Sequence, residues 1–94
     1  MNLRQFAKGK PCQVRAPNVC NWNPETTVLA HIRRRTPGMG RKPNDLVAVH
    51  ACSDCHDLID GRTSRAYDYS REELDSLILA ALCGTLEAIK GELK

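Results

Sequence analysis

Four of the five cysteines in this 94-residue chain stand at positions 12, 20, 52 and 55, and the last two close a CxxC pair, Cys52-Ser53-Asp54-Cys55. A chain this short buries a thin core, and one Phe, one Trp and two Tyr add little bulk to it. Small domains of this kind rest on a staple: a disulfide, a metal or a partner chain. The composition excludes a large active-site cleft, a multi-domain machine and an independent transmembrane protein.

The choice of staple depends on compartment. The opening residues, MNLRQFAKGK, lack the apolar core of a signal peptide. The longest apolar run, Leu77 to Cys83, falls far short of the roughly 20 residues that span a bilayer. The expectation is a cytoplasmic protein with no membrane contact, in which thiols stay reduced and close-spaced cysteines serve as metal ligands more often than as disulfides. A CxxC at the entrance to a helix is the usual knuckle of a tetrahedral zinc site. Cys12 and Cys20 would supply the other half. Seven residues separate them, but Pro17 and Asn18 favour a turn that returns the second thiol to the first. A structural Zn²⁺ on Cys12, Cys20, Cys52 and Cys55 is expected, with disulfide pairing as the alternative. Cys52 to His56 also matches the CxxCH of covalent haem attachment. Four aromatic residues hardly build the apolar pocket that haem needs.

Secondary-structure signals divide the chain into three parts. Residues 1–11 read as a basic N-terminal arm or short helix, and residues 12–25 as a Pro- and Asn-rich loop. Residues 26–33 alternate as a strand, with Leu29, His31 and Arg33 on one face and Val28, Ala30 and Ile32 on the other. Residues 34–45 form a charged loop, residues 46–51 a second strand, and Ser53 caps a short helix that reaches about Asp60 and stops at Gly61. Ser70 and Glu73 fit a capping box that opens a long helix to residue 94. Leu74, Leu77, Ile78, Ala81, Leu82, Leu86, Ile89 and Leu93 follow at helical spacing. Cys83 reads as a small buried hydrophobe of that helix, and Gly84 as a point of close approach.

The formal net charge of +3 conceals two opposed halves, +8 over residues 1–44 and −5 over residues 45–94. A basic half suggests a polyanion-facing surface, with duplex DNA the leading partner. Arg33, Arg34, Arg35, Arg41 and Lys42 are its candidate phosphate contacts. The alternative is a solvated Arg-rich loop. His56 and Asp60 lie one helical turn apart and share a face, so they can chelate a divalent cation; a solvated helix end is the competing reading for Asp60. His31, on the first strand, could face that helix and act as general base on a water. His50 reads as a packed strand residue.

In their order along the chain, Cys12, Cys20, Ala30-His31-Ile32, Asn44 and Cys52-x-x-Cys55-His56 resemble an HNH (His-Me finger) endonuclease with zinc knuckles. The phrases CQVRAPNVCNWNPETTVLAHIR and ACSDCHDLIDGR are similar to the YbcO-like nucleases of lambdoid phages and prophages, over residues 4–62. The resemblance implies a ββα-metal fold around one catalytic cation (Mg²⁺, Mn²⁺ or Zn²⁺) and hydrolysis of phosphodiester bonds in DNA. It further implies that His31 activates water, His56 ligates the cation and Asn44 orients the hairpin. Ala30 departs from the family pattern, which carries a metal-binding side chain there. Either Asp60 completes the site, or the chain is a non-catalytic zinc-containing DNA-binding or adaptor module.

The expectation is thus an α+β fold forming one HNH-like domain over 1–94: the arm at 1–11, a zinc-bound ββα core at 12–65 and the C-terminal helix at 70–94. That helix packs on the core or on a second copy of the chain, as a homodimer.

Overall fold

The structure is a computed structural model that describes residues 2–32 and 45–93. It is a small α+β fold: helix α1 (Leu3–Ala7), strand β1 (Val28–His31), strand β2 (Ala48–Ala51), helix α2 (Ser53–Ile59) and the long helix α3 (Arg71–Glu92). Short 3₁₀ turns at Pro24–Thr26 and Ser64–Asp68 link them. No helix of the described residues is long and apolar enough to cross a membrane. The expected contacts at Arg33, Arg34, Arg35, Arg41 and Lys42, and the expected orienting residue Asn44, lie outside the described residues.

The two strands pair antiparallel, with Val28 opposite Ala51, Leu29 opposite His50, Ala30 opposite Val49 and His31 opposite Ala48. Alternation therefore puts Leu29, His31, Ala48 and His50 on one face and Val28, Ala30, Val49 and Ala51 on the other. Both faces are covered. Leu29 and Ala48 pack with Ala7 of α1 and the half-buried Leu3, and the Phe6 ring lies 5.8 Å from the His50 ring. Ala30, Val49 and Ala51 join Leu58 of α2 and Leu74 and Ala81 of α3 in the main core. His50 is fully buried, which agrees with its reading as a packed strand residue.

The ladder pattern leaves the His50 backbone groups pointing away from β1, and both find partners from distant segments. Thr85 of α3 accepts the His50 N–H at 2.9 Å, and the His50 carbonyl accepts the Gln13 N–H at 2.8 Å. The exposed edge of a two-stranded sheet is thereby closed by a helix side chain and a loop, which prevents unpaired strand groups from being buried without a bond.

Helix α3 opens on the expected capping box: Ser70 Oγ accepts the Glu73 N–H at 3.0 Å and Glu73 Oε1 accepts the Ser70 N–H at 2.8 Å. Those bonds hold the Glu73 carboxyl below its usual range. The buried face of α3 is Leu74, Ile78, Ala81, Thr85 and Ile89. Cys83, expected in the core, is exposed, as are Leu86 and Leu93. The reason is that Thr85 occupies the buried position facing β2, which rotates residues 83 and 86 outward. A Cβ on Gly84 would lie 2.9 Å from Gln13 Cδ, so this glycine does permit the close approach expected of it.

Helix α2 begins one residue earlier than expected. Its N-cap is Cys52, whose sulfur accepts the Cys55 N–H at 3.4 Å, and Ser53 is the first helical residue. Gly61, at φ +73°, ends it by donating to the Leu58 carbonyl at 3.1 Å.

The closure of the β2 edge is testable. Thr85→Val keeps the shape of the side chain but strands the buried His50 N–H. It is expected to cost about 1–3 kcal/mol of unfolding free energy by denaturant titration, against under about 0.5 kcal/mol for an exposed change such as Leu86→Gln.

Candidate metal centre and histidine sites

The four cysteine sulfurs come from three stretches of chain and lie within 4.8 Å of one another. Cys12, Cys52 and Cys55 are buried and Cys20 is half-buried. Each stretch forms a turn that aims backbone N–H groups at sulfur. After Cys12 the chain enters the left-handed region at Arg15, φ 51°, and after Cys20 it does so at Trp22, φ 57°. The Trp22 N–H donates to Cys20 Sγ at 3.4 Å. Between the two knuckles, the Pro17-Asn18 turn forms as expected, with Asn18 at φ 64° and the Val19 N–H donating to the Ala16 carbonyl at 3.1 Å. Arg65 Nη1 donates to the Asn18 carbonyl, and Tyr69 Oη donates to the Pro17 carbonyl at 2.8 Å, so the turn is tied to the segment before α3.

The sulfurs fit a tetrahedral cation. Sulfurs bound at about 2.3 Å on the corners of a tetrahedron lie about 3.8 Å apart. Cys20 Sγ and Cys52 Sγ are 3.8 Å apart, far beyond a disulfide, and all five cysteines are free thiols. Electrostatics agrees. Cys12 is held down to about 4, chiefly by the hydrogen bond from the Cys55 thiol and also by backbone N–H groups of Arg15, Cys52 and Val14. Cys20 is pushed up to about 11 by burial and by the negative charge at Cys12, and Cys55 is pushed up by its bond to Cys12 and by burial. A thiolate is stabilised at Cys12, while Cys20 and Cys55 are held to their protons. With four sulfurs this close, these cysteines can hold a metal such as zinc, whose charge would offset that of the thiolates.

Two of the three histidines, His31 and His56, each pair with a carboxylate, and the pairs are separate. His31 Nε2 lies 2.7 Å from Asp45 Oδ1, and Arg4 Nε of α1 lies 3.5 Å from the same oxygen. The His31 bond, aided by the Arg4 charge, holds the Asp45 carboxyl below its usual range. His56 Nε2 lies 3.2 Å from Asp60 Oδ2, the shared face expected from their spacing. Arg62 also reaches that oxygen at 3.1 Å and Asp57 at 3.3 Å. His31 shares its strand face with Leu29, on the α1 side, whereas α2 covers the Ala30 side. Among the described residues, no hydrogen bond or ion pair joins the His31 pair to the His56 pair, and the four cysteines are the one group of three or more candidate ligands gathered together.

Asp45 was not singled out from the sequence. Its signal there is slight: an acid immediately before the second strand, next to Asn44.

The model of a protein family described as "Putative nuclease YbcO" matches residues 1–92. Two curated relatives, "Putative nuclease YbcO" of Escherichia coli (strain K12) and "Putative nuclease ybcO" of Enterobacteria phage 82, are each 62% identical to the chain over 63 residues, 66% of its length. The chain likewise spans 66% of the length of those relatives. A solved structure described as "a putative bacteriophage protein from Escherichia coli str. K-12 substr. MG1655" superposes with a TM-score of 0.75 at 42% identity, covering 97% of this chain and 100% of that one.

Metal loading separates the thiols cleanly. Co²⁺ added to the metal-free chain is expected to give the visible absorption of a tetrahedral thiolate site, which Cys52→Ser weakens and Cys83→Ser leaves unchanged. Chelation is expected to lower the melting temperature by more than the roughly 4–8 °C that 1 kcal/mol moves a domain of this size.

Proposed function

The chain belongs to the YbcO family, and from that premise we propose that it is a metal-dependent endonuclease that hydrolyses phosphodiester bonds in DNA on an HNH-like strand–loop–strand–helix core. The observation that carries the reading is the 2.7 Å contact of His31 with Asp45. A carboxylate that accepts from Nε2–H leaves the Nδ1 lone pair of the neutral ring open, the protonation pattern a general base requires. His31 Nδ1 takes a proton from water; the water oxygen bonds to phosphorus and the sugar oxygen departs as the P–O bond breaks. Asp45 keeps the ring in one tautomer and steadies the imidazolium that forms, and Arg4 beside it offers a guanidinium to the phosphate.

His56 and Asp60 are the residues that would hold the catalytic divalent cation, with Arg62 released from Asp60. Such a cation supplies charge stabilisation at the phosphoryl oxygens. Zn²⁺ at Cys12, Cys20, Cys52 and Cys55 has a structural role, because four protein thiolates leave no coordination position open. Arg33, Arg34, Arg35, Arg41 and Lys42, with Asn44, complete the proposed DNA face. A second copy pairing along Leu79 and Leu86 of α3 and Leu93 at its C-cap, all exposed and one heptad apart, would present two such faces.

The second reading, a non-catalytic zinc-containing DNA-binding module, draws its support from Ala30 and from the separation of the two histidine pairs.

Plasmid nicking with Mg²⁺, Mn²⁺ or Zn²⁺ decides between them. His31→Ala is expected to slow cleavage about 10²- to 10⁴-fold, and Asp45→Asn by a smaller factor, with the fold and bound structural metal unchanged. Equal cleavage by His31→Ala would remove the base assignment. DNA binding without cleavage under any metal would select the second reading.

A further inference from the structure

Trp22 is the sole tryptophan of the chain, and it is 67% exposed in a molecule whose core is short of aromatic bulk. Burying it would be the ordinary use of such a side chain. Instead the fold holds it outward. Its φ of 57° lies in a region that bulky residues rarely occupy. The Trp22 N–H is bound to Cys20 Sγ at 3.4 Å, and both neighbours are pinned. Asn21 Oδ1 accepts the Asn23 N–H at 2.8 Å, while Asn21 Nδ2 donates to Ser53 Oγ at 3.1 Å. The knuckle that aims an N–H at the sulfur is also what projects the indole.

The other knuckle is built alike. Arg15, three residues after Cys12, is exposed, has φ 51°, and donates from Nε to the Cys12 carbonyl at 3.0 Å. Two turns around one thiol cluster therefore present an indole and a guanidinium. Those are the side chains that stack on a nucleobase and meet a phosphate. They stand in the half of the chain that carries +8, where Glu25 is the one acid.

We propose that Trp22 and Arg15, on the tips of the two cysteine knuckles, form a nucleic-acid contact in which the indole stacks on an unpaired base and the guanidinium takes the adjoining phosphate. The contact is separate from the His31 and His56 pairs, and it rests on the nuclease reading for its ligand. It orients a strand with an open base against the end of the molecule that carries the thiol cluster. A base held within a complete duplex offers no free face to the indole, so single-stranded or locally opened segments are the preferred ligand.

The full-length, metal-loaded chain provides its own probe, because tryptophan emission reports on Trp22 alone. Single-stranded DNA is expected to quench that emission saturably and more strongly than a fully paired duplex, and a single-stranded RNA arm shows whether the sugar matters. Trp22→Asn removes the indole with a residue that tolerates the left-handed backbone, so metal content and melting should hold. By anisotropy of a labelled strand, that variant should bind roughly 5- to 150-fold more weakly, the equivalent of one lost stacking contact. Trp22→Phe should retain most of the affinity, and Arg15→Gln should lower the salt slope by about 0.7 to 1. Unchanged emission during strand binding, stronger quenching by duplex, or equal affinity of Trp22→Asn would overturn the proposal and leave the nuclease reading standing. Failure of the unaltered chain to bind any of the three oligonucleotides would overturn both.

Discussion

The rest of this fold depends on four sulfurs gathered within 4.8 Å of one another. Cys12 and Cys20 come from the first loop, Cys52 and Cys55 from the junction of β2 and α2, and their convergence ties the N-terminal third to the hairpin. Donors from Cys55 and the backbone stabilise a thiolate at Cys12, while burial and that negative charge keep Cys20 and Cys55 protonated. A divalent ion held there would offset that negative charge and turn its own binding energy into folding energy. The main core gathers around the same point, since Ala30, Val49, Leu58, Leu74 and Ala81 pack in one cluster with three of these cysteines. A thin core and a charged staple thus act as one unit.

The hairpin then sorts the chemistry by face. Antiparallel alternation sends His31 to the side covered by α1 and sends Ala30 toward α2. His31 meets Asp45 and the Arg4 charge there, and His56 meets Asp60 and Arg62 at the end of α2. Each of these two histidines is held by a carboxylate, and each carboxylate is shared with an arginine. That repeated arrangement keeps both imidazoles oriented.

Much of the architecture was legible in local sequence. The Ser70–Glu73 capping box, the Pro17-Asn18 turn, the Gly61 stop and the CxxC knuckle all form, because each is decided by residues within a few positions of one another. The exposed Cys83 and the buried Thr85 show where periodicity fails. The apolar spacing of α3 has more candidate positions than the fold can cover, and the face is chosen by the His50 N–H, which needs an acceptor. Cys52 likewise displaces Ser53 as N-cap because a sulfur already held in the thiol cluster can accept the same backbone N–H.

By itself the sequence determined the elements, their order, the four candidate thiols and the His56–Asp60 face, all consequences of short spacing and intrinsic preference. Only the tertiary structure decided that Asp45 takes His31 from 14 positions away, that Thr85 closes the sheet edge from 35 positions away, and that Arg4 reaches Asp45 across 41. It also decided that Trp22 stays outside. Such pairings obey no periodicity. They follow from which strand edge, face or sulfur is left unsatisfied once the elements pack, and that is a property of the assembled chain.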